Sequence, residues 1–93
     1  MREHPRDGVL RLAPGCRLSA PDARENVLLF PEGAMRLKGS ARAILELCDG
    51  ERTLDEIVEE LQRRYPSEDG GRIQTEAVAL LERLRARGVL EQL

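Results

Sequence analysis

The sequence predicts an α+β domain: a three-stranded antiparallel sheet followed by three helices. Three observations predict it. Apolar residues alternate with polar ones in short runs between residues 16 and 37, then recur every three to four residues from residue 41 to residue 84. Turn signals (Pro14-Gly15, Pro21-Asp22 and Glu32-Gly33) cut the first half into pieces the length of short strands. The chain has 93 residues, of which 41% are hydrophobic and 34% charged, with a net charge of -2. That is the size of one domain and too apolar for a disordered chain. Strands gathered ahead of helices define the α+β class.

The elements follow in order. Residues 1–8 are polar, and without an apolar stretch they do not read as a secretory signal. Val9, Leu10 and Leu12 add a small apolar patch, so residues 1–13 read as an N-terminal tail or arm and residues 14–93 as the folded domain. Cys16, Arg17, Leu18 and Ser19 alternate as a half-buried strand. Residues 27–30 (Val-Leu-Leu-Phe) form the second strand, bounded by Pro31, and residues 34–37 the third. Tight turns between them make an antiparallel meander. Ser40 can cap a first helix with Ala41, Ile44, Leu45 and Cys48 on one face, stopped by Asp49-Gly50. Thr53 and Glu56 have the spacing of a capping box, opening a second helix with Leu54, Ile57, Val58, Leu61 and Tyr65 inward and Pro66 at its end. Residues 67–72 read as a loop. A third helix over 73–87 turns Ile73, Ala77, Leu80, Leu81 and Leu84 inward, Gly88 ends it, and Val89-Leu90 is a short extended tail. Helices two and three with that tail have the outline of a winged helix-turn-helix.

Composition argues against an enzyme. The chain has one histidine (His4), two cysteines, no tryptophan, one phenylalanine and one tyrosine. A zinc site takes three or four ligands, and three scattered His and Cys residues do not suggest one. Neither G-x-x-x-x-G-K nor G-x-G-x-x-G occurs. No catalytic residue, metal or cofactor is expected. No apolar run approaches the ~18 residues of a membrane span. Cys16 and Cys48 are too few for a disulfide scaffold, so the cytoplasm is the default compartment. Cys48 reads as a small core residue, and Glu59 and Glu60 with Arg63 and Arg64 as ion pairs on a solvated helix face.

Two features suggest binding. Ala34, Met35, Arg36, Leu37 and Lys38 lie on a strand at the edge of the meander, contain no proline, and can pair with an added peptide strand. The same Arg36 and Lys38 charges also suit an edge guarded against aggregation. On the third helix Val78 lies beside Leu81, flanked by Gln74 and Arg85. Together they would form one wall of a groove, apolar at its base and basic at one end, suited to an acidic, partly apolar peptide; a wide core-facing stripe would look similar. The rival reading is a winged-helix DNA-binding regulator. It is opposed by the start of the third helix (Ile73, Gln74, Thr75, Glu76), which lacks a base, and by the acidic second helix, so no nucleic-acid partner is expected.

From Val27 onward the sequence resembles the PqqD family. Residues 28–34 match its L-L-(aromatic)-P-E-G-A pattern. Residues 41–53 match A-x-x-I-L-x-L-C-D-G-x-R-T, and Glu56, Ile57, Val58, Leu61, Tyr65 and Pro66 continue in register. The resemblance covers roughly residues 14–93. The chain departs from the family where Glu76-Ala77-Val78 replaces a usual Asp-Val pair and Gly88-Val89-Leu90 replaces G-W-L. The resemblance implies a non-catalytic peptide chaperone of pyrroloquinoline quinone biosynthesis. Such a protein is a recognition element for ribosomally made, modified peptides, and it brings the precursor peptide PqqA to the radical S-adenosylmethionine enzyme PqqE. It also implies a winged-helix-like fold in which the peptide adds to the third strand and lies against the third helix. Carried over by position, that site is Ala34, Met35, Arg36, Leu37, Lys38, Gln74, Val78, Leu81 and Arg85. The apolar residues 9–12, tethered by Pro14-Gly15, further suggest an arm that packs on its own domain or exchanges to make a homodimer.

Overall fold

A computed structural model describes residues 8–93; His4 and the rest of the expected polar tail before Gly8 lie outside the described residues. The strands are β1 (Val9–Leu12), β2 (Arg17–Leu18), β3 (Val27–Phe30), β4 (Gly33–Arg36), β5 (Asp49–Thr53) and β6 (Leu90–Gln92). The helices are α1 (Ala41–Glu46), α2 (Leu54–Arg64) and α3 (Gly70–Ala86). The molecule is a mixed α+β domain with two antiparallel sheets, ordered β2-β3-β4 and β5-β1-β6.

The first sheet is the expected meander. Leu18 faces Leu28 across β2 and β3, and Leu28 faces Met35 across β3 and β4. The second sheet departs from expectation. Residues 9–12, read as part of an arm, form its central strand: Val9 faces Thr53 and Arg11 faces Asp49 on β5, while Leu10, Arg11 and Leu12 face Gln92, Glu91 and Leu90 on β6. Asp49-Gly50, read as a helix stop, opens β5 instead. Helix α1 has already ended at Glu46, capped by Leu47. Strand β5 is Asp-Gly-Glu-Arg-Thr, a run with no apolar alternation. It is held as a strand by its pairing with β1, so period alone could not reveal it. Gly50 still takes a left-handed conformation, φ +83°, at the point where the β1–β5 register shifts. That is the backbone of a glycine bulge.

Helix α2 starts as the sequence indicates, whereas Ser40, read as the cap of α1, makes no side-chain cap hydrogen bond there. The Thr53 hydroxyl accepts from the Glu56 N–H at 3.2 Å while the Glu56 carboxylate accepts from the Thr53 N–H at 2.9 Å, a reciprocal capping box. Helix α3 begins three residues earlier than its apolar period suggests, because the Asp69 carboxylate accepts from the N–H groups of Gly71 (2.9 Å) and Arg72 (3.4 Å). This cap offsets the poor helix propensity of two consecutive glycines. Leu10, Leu28, Leu45, Ile57, Leu61, Leu81 and Leu84 are the largest fully buried side chains, one or two from each of β1, β3, α1, α2 and α3. They belong to one continuous core that joins both sheets to the helices. Each such burial contributes ~1.5–3 kcal/mol. Among the described residues no polar or charged side chain is buried, and no helix is long and apolar enough to cross a membrane.

Candidate functional site

Strand β4 lies at one edge of its sheet, hydrogen-bonded to β3 on one side only. The direction of its free groups follows from the ladder. The Leu37 N–H donates to the Asn26 carbonyl at 2.8 Å, in register with the Val27–Arg36 pair. In an antiparallel ladder, bonded and non-bonded pairs alternate. Residues 37, 35 and 33 therefore turn their N–H and C=O groups toward β3, while those of Ala34 and Arg36 turn away from the sheet. On the other side of β3, the Ser19 N–H donates to the Val27 carbonyl at 2.9 Å, which fits the same alternation. The expected third strand thus exists, displaced by one residue to Gly33–Arg36, with Leu37 and Lys38 continuing past its end.

The side chains of this edge divide as the pleat requires. Ala34 and Arg36 are exposed, Met35 is half-buried against the core, and Leu37 is buried. The Arg36 guanidinium donates to the Glu25 carboxylate at 3.4 Å, a loose surface pair worth little in water. Lys38 is exposed and makes no ion pair among the described residues.

The helix residues of the expected groove are only partly gathered. Gln74 and Val78 line a shallow depression of about 400 Å³ together with Thr75, Ala79 and Glu82, all from α3. Val78 is half-buried there. Leu81, expected as part of that wall, is 2% exposed and belongs to the core. Arg85 is exposed near the end of α3; it, Arg83 and Arg87 form no ion pair among the described residues. At the other end of the helix the Arg72 guanidinium donates to the Glu76 carboxylate at 3.0 Å. Among the described residues, the first turns of α3 therefore present no cation without an ion pair to a phosphate backbone, and the cations without one cluster at its C-terminal end.

A second concavity was not evident from the sequence. Gly39, Ser40, Tyr65, Glu68 and Ile73 line a half-open pocket of about 270 Å³. Ser40, Tyr65 and Ile73 also line a narrow inner slot of about 30 Å³ that reaches Ile44 and Leu61. Tyr65 and Ile73 fit the inner stripes of two helices by spacing, which hides their role as walls. The structure leaves Tyr65 41% exposed, because the residue caps the end of α2 with non-helical backbone. The only sequence signal was Pro66, which ends the helix there and frees Tyr65 from the helical face.

Both thiols are held toward the neutral form by their surroundings. Burial, and then the Asp49 carboxylate, push the Cys48 thiol up to about 12. Its Sγ lies 3.6 Å from the Ile44 carbonyl, to which it donates. Burial and then Glu32 also raise Cys16. Neither has the lowered pKa of a nucleophile.

Comparison with known proteins gives a consistent result. The family profile described as "Coenzyme PQQ synthesis protein D (PqqD)" matches residues 25–90. A Methylococcus capsulatus protein named PqqA binding protein is 36% identical over 88 residues, spanning 94% of this chain and 91% of its own. An Azotobacter vinelandii protein of the same name is 37% identical over 92 residues, 98% of each chain. The solution structure of the PqqD part of Methylobacterium extorquens PqqCD, described as a functional, stand-alone recognition element for ribosomally synthesised and modified peptides, superposes with a TM-score of 0.71 at 36% identity. The match covers 89% of this chain and 88% of that one.

Proposed function

Because this chain belongs to the PqqD family, we propose that it is a non-catalytic recognition element that binds the precursor peptide PqqA by strand addition to β4. The observation that carries this is the free edge, where the outward N–H and C=O groups of Ala34 and Arg36 are spaced to receive an extended peptide. The names of the relatives support the choice of peptide.

In this reading the backbone of residues 34–38 supplies affinity without demanding sequence, while Met35 and Leu37 hold the strand on the core. The peptide's side chains rest on Gln74 and Val78, with Leu81 supporting Val78 from within the helix, and Arg85 attracts acidic groups. The bound peptide is then presented in the cytoplasm to the radical S-adenosylmethionine enzyme PqqE. The layout of α2, α3 and β6 resembles a helix-turn-helix with its wing, put to peptide rather than DNA binding.

Proline scanning of β4 tests the mode of binding. Arg36→Pro removes an outward N–H from an edge strand, a position where proline is tolerated. The variant should keep a cooperative melt and lose binding of a synthetic PqqA peptide in an amide-shift titration. Met35→Pro removes an N–H that bonds β3 and should instead lower the melting temperature. If folded Arg36→Pro binds the peptide as tightly as wild type, strand addition at β4 is wrong.

A further inference from the structure

We propose that the pocket between Gly39, Ser40, Tyr65 and Ile73 receives one aromatic or branched aliphatic side chain of the bound peptide, and that this contact sets peptide selectivity. The proposal rests on the strand-addition reading and deepens it. Main-chain pairing along β4 is almost blind to sequence, so selectivity must come from side-chain pockets near the edge. This pocket is continuous with the edge in the chain. Gly39 and Ser40 follow Lys38 directly, and Gly39 adopts φ +58°, turning the chain away from the strand direction into α1. A peptide paired at Arg36 and advancing ~3.3 Å per residue needs only two or three more residues to come abreast of Gly39.

The chemistry of the pocket fits an apolar occupant. Its volume of about 270 Å³ exceeds the ~150 Å³ of an apolar cavity that admits benzene. The inner slot, which Ser40 and Glu76 also border, leads toward the buried side chains of Ile44 and Leu61, so its lining is mainly apolar. Tyr65 and Leu93 are the large apolar side chains left exposed among the described residues. Tyr65 therefore presents ring surface that an incoming side chain removes from water. The Glu68 carboxylate on the rim opposes an acidic side chain.

The test is an alanine scan of the apolar residues of synthetic PqqA, titrated against wild type, Ile73→Trp (which fills the pocket), Tyr65→Ala (which opens it) and Arg36→Pro. In wild type, one peptide position should lose about tenfold in affinity when changed to alanine. The same alanine should cost nothing further in Ile73→Trp, because the pocket is already closed. Arg36→Pro should lose every peptide. If Ile73→Trp and Tyr65→Ala fold and bind the whole series as wild type does, while Arg36→Pro does not bind, the pocket has no such role and strand addition stands. If Arg36→Pro binds normally, strand addition falls and the pocket proposal with it. Should Ile73→Trp fail to fold, the exposed Tyr65→Ala decides alone: an unchanged peptide series overturns the proposal.

Discussion

The guanidinium of Arg42, on α1, reaches four acceptors: the Ser19 carbonyl at 2.8 Å, the Glu46 carboxylate at 2.9 Å, the Ser19 hydroxyl at 3.3 Å and the Asn26 side-chain carbonyl at 3.4 Å. Asn26 in turn accepts the Leu37 N–H at the last rung of the β3–β4 ladder. A single arginine thus ties α1 to the residues that flank the β2-β3-β4 sheet. Arg42→Ala leaves the part-buried Ser19 carbonyl without this donor and should cost about 1–3 kcal/mol in urea unfolding. Cys48 gives a prediction of pH dependence. Its folded pKa of about 12 lies above the unfolded thiol value of ~8.5, so the stability it contributes is fully present below ~8.5 and is lost as pH rises toward 12. The urea midpoint of wild type should therefore fall between roughly pH 8.5 and pH 10.5 more steeply than that of Cys48→Ala. Equal slopes would mean that the thiol is not held neutral by burial.

Among the elements, α2 depends on its first turn. Thr53→Ala breaks both halves of the capping box and should lower stability by about 1 kcal/mol, read as a shift in the urea midpoint at constant slope. On α3, Val78→Asp places a carboxylate four residues from Glu82, a like-charge spacing that costs the helix only ~0.2–0.5 kcal/mol. Against an apolar peptide face the same charge should cost on the order of 2 kcal/mol, about thirtyfold in affinity. Titration of the folded variant separates the two effects. Arg85→Glu should weaken an acidic peptide mainly at low salt, because an exposed charge is screened over ~10 Å at 0.1 M.

For the whole molecule, β1 has the largest consequence. It joins β5 to β6 and sends Leu10 into the core. Deleting residues 1–12 should therefore abolish the cooperative thermal transition, whereas loss of a loose arm would leave it unchanged. The same strand gives the homodimer suggested by the sequence a specific form. Exchange of β1 between two copies would preserve every pairing and open only the turn at residues 13–16, where the Cys16 N–H donates to the Ala13 carbonyl at 3.0 Å and Gly15 has φ +87°. Because that turn is well made in one chain, exchange should be concentration-driven: light scattering should give the monomer mass when dilute and a growing dimer fraction when concentrated. A monomer at every concentration would dismiss the exchange.

By itself the sequence determined the meander, the presence of the three helices and part of their capping, because period-two and period-3.6 patterns, Thr53 with Glu56, and Gly88 each act within a few residues of themselves; the Ser40 cap and the Asp49-Gly50 stop that it also suggested are not formed. It also determined edge strand β4 to within one residue, since Pro31 and Glu32-Gly33 bound it locally. Only the tertiary structure decided the second sheet. Strands β1, β5 and β6 are separated by dozens of residues, and β5 carries no apolar alternation, so its strand character comes from its partner. The tertiary structure also decided which groups of β4 face outward, that Leu81 is core rather than wall, and that Tyr65 and Ile73 line a pocket with Gly39 and Ser40. Each of these depends on what lies across from a residue, and periodicity along one chain can say which side faces inward but not what it will meet there.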